Sequence, residues 1–360
     1  MFATLEELFK IQPYSLSKTE KHHTLTNILK DLSTYHYEKC EPYRKLVKCL
    51  GTTLSDIDSY YDLPMLPVRL FKEYDLYSID KENIFKTMTS SGTSGQQVSK
   101  IYLDKETAAN QTKTLVQITS NFLGNKRLPM LIIDTKAVIK KRNLFSARGA
   151  GILGFSMLGY DVTYALDEDM NLDYDVVRAF LEKHKGEHIF IFGFTYIIWQ
   201  HLYKELLHSN NKLDFSSGIM LHGGGFKKLL DEAVDNQTYK NCLKKVCGLE
   251  HIYNYYGMVE QTGSIYMECE YGHLHTSNFS DVIIRNPKDF SICGNGEEGI
   301  IQVVTALAKS YPGHSLLTED VGIILGEDDC PCGRKGKYFQ INGRIKNAEI
   351  RGCSDTYERK

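Results

Sequence analysis

Thr89-Ser90-Ser91-Gly92-Thr93-Ser94-Gly95-Gln96 sets five hydroxyls and two glycines in eight residues, none bulky enough to build a core. Glycine lets the backbone turn where a Cβ would clash, and successive main-chain N–H groups can then converge on an anion. The hydroxyls add donors that can follow a phosphate as it moves. The flanks, Ile84 to Met88 and Val98 to Leu103, read as strands. Two strands joined by such a loop suit a clamp on polyphosphate; the plainer reading is a flexible surface hairpin. The Gly-Lys-Ser/Thr ending of a Walker loop is absent.

Upstream, Thr4-Leu5-Glu6-Glu7 and Ser17-Lys18-Thr19-Glu20 match the capping-box pattern and predict two helix starts. Leu25, Ile28, Leu29 and Leu32 then recur at helical spacing. Residues 1–82 read as a helical cap, with Pro64 and Pro67 forcing an extended passage toward the loop. Downstream, strands at Leu128 to Asp134, Val162 to Ala165, His188 to Phe192, Ile219 to Leu221 and His251 to Tyr255 alternate with helices. Those helices are Leu144 to Leu158, Tyr174 to His184, Tyr196 to Leu207 and most of 226–247. That alternation predicts a parallel sheet covered on both faces, with ligands beyond the carboxyl ends of its strands. Residues 83–265 form this α/β core, 266–342 a β-rich subdomain of short strands and glycine turns, and 343–360 a tail.

Composition narrows the class. A net charge of −2 over 360 residues supports neither nucleic-acid nor anionic-membrane binding. The most apolar run, Ile189 to Trp199, is too short to span a bilayer. Nine irregularly spaced cysteines fit reduced thiols in a cytoplasmic protein better than a disulfide scaffold.

Further motifs follow in order: His222-Gly223-Gly224-Gly225 after one strand, Tyr256-Gly257-Met258-Val259-Glu260 after the next, then Thr318-Glu319-Asp320 and Gly343-Arg344. Each is weak alone. In this order they resemble the adenylate-forming superfamily of acyl-CoA synthetases, luciferases and peptide-synthetase adenylation domains. Gly296-Glu297-Glu298-Gly299, Cys332-Gly333-Arg334 and Gly343-Arg344 look like phenylacetate-CoA ligases. Tyr256 to Gln261, Ser310-Tyr311-Pro312-Gly313-His314 and Glu349 to Asp355 are similar to something narrower. They resemble the acyl-protein synthetases of bacterial bioluminescence fatty acid reductase complexes.

The resemblance implies an adenylate-forming large domain with a helical N-terminal cap and a β-rich subdomain. It implies ATP and Mg²⁺ as cofactors. Thr89, Ser90, Ser91, Gly92, Thr93, Ser94 and Gly95 would hold the β- and γ-phosphates. Gly223, Gly224 and Gly225 would pass close to the adenine, Tyr256 followed by Gly257 would stack on it, and Glu260 would bind Mg²⁺ as an oxygen ligand. Asp320 would accept from the ribose hydroxyls with Arg344 beside the same sugar. The acyl chain is expected near Phe192-Gly193-Phe194. Cys353 would take the acyl group as a thioester; Arg351 favours its thiolate, and Gly352 gives the backbone freedom to swing it. An acyl reductase would be the protein partner.

Two departures from the superfamily stand out. Val259 replaces the usual hydroxyl before the motif glutamate. The chain ends at residue 360, sixteen past Arg344, so the full mobile C-terminal domain and its lysine are expected to be missing. Lys346 matches a hinge position instead, leaving Lys100 and Lys337 as substitutes. Separately, Cys269, His275, Cys330 and Cys332 make a candidate structural Zn²⁺ set, with His273 the poorer match, since thiolates and imidazole suit tetrahedral zinc. The leading function is ATP-dependent activation of a fatty acid followed by transfer to a protein cysteine. A free acyl- or aryl-CoA ligase is the alternative, and a non-catalytic nucleotide-binding scaffold of a reductase complex the third.

Overall fold

Both capping boxes form. In the computed structural model, which describes residues 4–90, 97–140 and 147–345, the Thr4 hydroxyl accepts the N–H of Glu7 while the Glu7 carboxylate accepts that of Thr4. Glu20 does the same for the N–H of Ser17 at 3.0 Å, opening helix α1 (Lys18–Lys39). The stripe Leu25, Ile28, Leu29 and Leu32 is buried. Helix α2 (Glu41–Cys49) follows. Strands β1 (Lys86–Thr89) and β2 (Lys100–Leu103) pair antiparallel. Helix α3 (Lys105–Leu123) comes next. Its sequence has few apolar residues at helical spacing, because Thr107, Gln111, Thr114 and Thr119 are among the side chains it buries.

The described residues form two units, one of 4–118 with 257–345, the other of 119–256. In the second lie β3 (Leu128–Thr135), α4 (Ala147–Ser156), β4 (Gly159–Leu166), α5 (Tyr174–Lys183), β5 (Ile189–Phe194), β6 (Gly218–Gly223), α6 (Asn236–Cys247) and β7 (His251–Tyr256). Between β5 and β6 the helical run Thr195–His208 carries one π turn, Trp199–Tyr203. All five strands are parallel, in the order β7-β6-β5-β3-β4. The chain steps from β3 outward to β4 and returns to β5 on the other side of β3, so the order reverses between β3 and β5. Crevices of this kind open at the carboxyl ends of the strands. Every residue of β5, Ile-Phe-Ile-Phe-Gly-Phe, is buried, as expected of a central parallel strand.

In the first unit the remaining strands are β8 (Tyr266–Glu268), β9 (Leu274–His275), β10 (Ser280–Arg285), β11 (Gly299–Thr305), β12 (Ser315–Glu327) and β13 (Lys337–Arg344). They pair antiparallel in the order β10-β11-β12-β13-β9-β8. The cap packs directly on this sheet. Leu66–Pro67 pairs with Leu316–Leu317 of β12. At the centre Asp281 is 1% exposed. It accepts from Lys337 Nζ at 2.8 Å, from the Tyr60 hydroxyl, and from Lys21 Nζ at 3.5 Å. Lys21 also donates to Thr276 Oγ1 at 2.7 Å. The two ammonium groups overcome the burial that would protonate Asp281 and hold its carboxyl well below the usual range. No helix among the described residues is long and apolar enough to cross a membrane.

A second buried cluster joins α1 to the segment before β12. His36 donates from Nε2 to Ala308 O (2.9 Å) and meets Ser78 Oγ at Nδ1 (2.7 Å). His314 meets Ser33 Oγ at 2.7 Å, and the two imidazoles stack with centroids 4.8 Å apart. Burial drives the pKa of His36 from 6.5 to about 3 and that of His314 well below its ordinary value. Both rings are therefore neutral in the fold, while the unfolded chain takes up protons below pH 6.5. Stability is fully present above that value and is lost as pH falls toward the folded pKa, by about 1.4 kcal/mol per pH unit for each ring. Urea midpoints should fall steadily from pH 7 to pH 5, and His314→Gln should make that fall shallower. An unchanged slope in the variant would show that His314 does not contribute.

Candidate functional site

The β1–β2 hairpin presents the hydroxyl–glycine loop. Thr89 stands opposite Lys100. Ser90 N–H donates to Ser99 O (3.1 Å), and Ser90 Oγ accepts the N–H of Ser99 (2.8 Å). The Ser90 oxygen is thus engaged in closing the neck of the hairpin; its own O–H remains a donor. Ser91, Gly92, Thr93, Ser94 and Gly95 lie outside the described residues, as do Lys346 and Cys353. Lys100 is about half exposed and pairs with Asp75 at 3.3 Å. Lys337, considered above as a stand-in for the mobile lysine, is locked against Asp281 and Val282 O at 2.8 and 2.9 Å. It is not free to swing onto a carboxylate.

Glu260 sits in a single 3-10 turn, Val259–Gln261, and is buried. Where Val259 lacks a hydroxyl, Thr262 donates its own back to Val259 O at 2.8 Å. Asp320 and Arg344 face each other across β12 and β13. The guanidinium donates from Nε to Asp320 (3.1 Å) and from its Nη2 to Glu319 (3.1 Å). Glu319 stands in the Thr318-Glu319-Asp320 motif without a role of its own, since nothing in the sequence shows that Arg344 reaches both carboxylates. The Arg344 guanidinium, which only donates, fixes the orientation of the two carboxylates, whose oxygens are the acceptors here.

In the other unit the three glycines differ. Gly224 and Gly225 take left-handed φ values of +81° and +40°, which only glycine adopts without strain. Gly223 is required for another reason: a Cβ there would stand 2.6 Å from the Tyr255 ring. The turn is therefore glycine-rich partly to seat its own aromatic neighbour. Tyr256, the residue matched to base stacking, is half-buried at the end of β7. Phe192 and Phe194 are buried on the α4 side of β5, where Phe192 stacks on Phe155 with centroids 4.6 Å apart. Gly151 of α4 faces both phenylalanines and Tyr255. Gly193 points the opposite way, and a Cβ on it would come within 2.9 Å of Ile198.

Cys269, His275, Cys330 and Cys332 converge, with their ligand atoms all within 4.8 Å of one another. Cys269 Sγ lies 4.0 Å from Cys330 Sγ, and Cys332 Sγ 3.4 Å from His275 Nε2. Zinc–thiolate bonds of about 2.3 Å in a tetrahedron give sulfur–sulfur edges of about 3.8 Å, so the donor set fits that ion. His273 Nδ1 lies 3.3 Å from Cys330 Sγ. Arg334 hydrogen-bonds Cys332 and reaches Glu270 at 2.9 Å. The contact of Arg334 with Cys332 was not evident from its place in Cys332-Gly333-Arg334. Elsewhere burial pushes the thiols of Cys40, Cys247 and Cys293 up, Cys247 to about 12. Cys247, whose Sγ donates to Leu243 O at 3.1 Å, is a poor nucleophile.

The profile of the acyl-protein synthetase family, LuxE, matches residues 3–360. The chain belongs to this family. The long-chain-fatty-acid–luciferin-component ligase of Vibrio harveyi is 24% identical over 367 residues, covering 96% of this chain and 90% of its own length. Its namesake from Aliivibrio fischeri is 21% identical, covering 96% and 91%. Among solved structures, an open conformation of 2-hydroxyisobutyryl-CoA ligase in complex with 2-HIB-AMP and CoA superposes with a TM-score of 0.73 at 15% identity. It covers 95% of this chain and 79% of its own. At that identity the likeness shows the fold: the α/β architecture of adenylate-forming ligases.

In this LuxE-family chain the Tyr255–Gly223 contact can be separated from any ligand contact. Gly223→Ala should cost about 1–3 kcal/mol through overpacking, read as a shift in urea midpoint. In a Tyr255→Leu background the same substitution should cost little. An equal loss in both backgrounds would mean that the ring is not what requires the glycine.

Proposed function

We propose that this acyl-protein synthetase activates a long-chain fatty acid with ATP and passes the acyl group to the thiol of Cys353, from which an acyl reductase receives it. What carries this reading is the family match across residues 3–360. A carboxylate oxygen of the fatty acid attacks the α-phosphorus. The bond to the bridging oxygen breaks, and pyrophosphate leaves with the electron pair. The Cys353 thiolate then attacks the acyl carbonyl, AMP departs, and a thioester remains. Splitting the transfer this way replaces one hard step by two easier ones.

Positioning and charge neutralisation dominate such chemistry. Thr89 to Gly95 would bind the departing phosphates, and Mg²⁺ held by Glu260 would neutralise their charge. Gly223 to Gly225 with Tyr256 and Gly257 would take the base, and Asp320 with Arg344 the ribose. The acyl chain would lie near Phe192-Gly193-Phe194, at the carboxyl end of β5.

Cys353→Ser should retain ATP–pyrophosphate exchange, since adenylation does not use the thiol, but should no longer hold radiolabelled fatty acid through a hydroxylamine-sensitive bond. Acylation of the serine variant at the wild-type rate would move the acceptor to another cysteine. Thioester formation only when CoA is supplied would favour a CoA ligase. Absence of exchange with every acid chain length would favour the scaffold reading.

We also propose that the Cys269–His275–Cys330–Cys332 set binds a structural zinc. Closed four-ligand sites of this kind add directly to folding stability. Purified protein should contain close to one zinc per chain. Cys332→Ser should lower both the metal content and the melting temperature. Metal-free wild-type protein with unchanged melting would leave the four residues as ordinary thiols and an imidazole.

A further inference from the structure

Glu260 rests on one 3-10 turn with no longer helix behind it, and turns of this kind hold themselves poorly. The segment 308–314 supplies what the turn lacks. The Tyr311 hydroxyl donates to Glu260 O at 2.9 Å. Its ring is fully buried, edge-on to Phe71 at 6.1 Å, and Gln111 Nε2 of α3 donates to its oxygen at 3.4 Å. Burial pushes the phenol well above its ordinary range, which keeps it a donor. One residue on, Gln261 spends both Nε2 protons, on Gly313 O at 2.9 Å and Val303 O at 3.1 Å.

Glycines make the contact this close. A Cβ on Gly313 would stand 2.9 Å from Glu260 O and would run into the Tyr311 ring. Gly263, at φ +88°, would carry a Cβ 2.6 Å from Gln111 O. The far side of the segment is fixed as firmly. Ser78 N–H donates to Ser310 O at 2.8 Å, Ser310 Oγ donates to Tyr102 O at 2.8 Å, and His36 holds Ala308 O. Glu260 is therefore gripped through its main chain by a strut that the cap and β2 hold still.

We infer that Tyr311 is a positioning residue: through its hydrogen bond to Glu260 O it fixes where the Glu260 carboxylate meets a divalent cation. This rests on the reading of Glu260 as the Mg²⁺ ligand. The hydroxyl acts on the carboxylate only through the backbone, so its loss should weaken cation binding without touching the acid substrate.

The test is a free-Mg²⁺ titration of ATP–pyrophosphate exchange in the full chain, comparing wild type, Tyr311→Phe, Glu260→Gln and the double variant. Tyr311→Phe keeps the ring and should raise the half-saturating Mg²⁺ concentration roughly five- to tenfold, as loss of one well-formed hydrogen bond does. The KM for the fatty acid should stay at the wild-type value. Glu260→Gln should raise the Mg²⁺ requirement further, and adding Tyr311→Phe to it should change nothing more. If Glu260→Gln shifts the titration and Tyr311→Phe does not, Tyr311 is ordinary packing and the proposal is overturned. If Glu260→Gln itself leaves the Mg²⁺ requirement unchanged, the role given to Glu260 fails and the proposal with it. Should Tyr311→Phe fold poorly, Gln111→Met decides: it removes the donor that orients the phenol and should shift the titration roughly two- to threefold in the same direction. No shift there overturns the proposal equally.

Discussion

A carboxylate as deeply buried as that of Asp281 must be paired, and the groups that pair it come from distant parts of the chain. Lys21 arrives from α1, Tyr60 from the end of the cap and Lys337 from β13. Removing any one would leave charge in a place without water, which costs far more than the contact contributes. The cap is for this reason part of the same unit as the β-rich sheet. Around that anchor the cap also grips the 308–314 segment, and this segment in turn supports the Glu260 turn. Electrostatic necessity at one residue thus sets the frame in which another carboxylate is held.

Much of the architecture was legible because local signals and burial agree. Capping boxes at Thr4 and Ser17, the Leu25–Leu32 stripe, and the apolar runs of β3 and β5 each obey one clear periodicity. Helix α3 was not legible. It buries threonines and Gln111 in place of leucines, so the period that marks a helix is written in polar residues. Its polarity has a use, since Gln111 faces Tyr311. The convergence of Cys269, His275, Cys330 and Cys332 could be anticipated from donor chemistry alone. His273 could be named as the poorer match, but the contact of Arg334 with Cys332 could not be foreseen, because outer contacts obey no spacing rule. Tyr311 fell in a motif noticed for its resemblance, while its hydrogen bond to Glu260 O needed the fold to become visible.

The glycines illustrate how one residue type answers different demands. Gly224 and Gly225 are there for backbone angle, Gly223 for the Tyr255 ring, and Gly313 and Gly263 for main-chain contact around Glu260. A reading that assigns a whole glycine run to the ligand merges requirements that the coordinates separate. The same holds for lysines. Lys337 and Lys100 look alike on paper, yet one is fixed by a buried carboxylate and the other pairs with Asp75 while remaining half exposed.

The cap has a further consequence, one that concerns synthesis. Lys21 finds Asp281 only after 260 further residues have been made, which at ~5–20 residues per second takes roughly 13 to 50 s. For most of that interval Lys21 and Ser33 of α1 lack their partners Thr276, Asp281 and His314, and His36 has only Ser78. Residues 119–256, by contrast, contain a complete parallel sheet and its crossover helices. They can collapse while the ribosome is still at work, and the unit that begins the chain is the last to close.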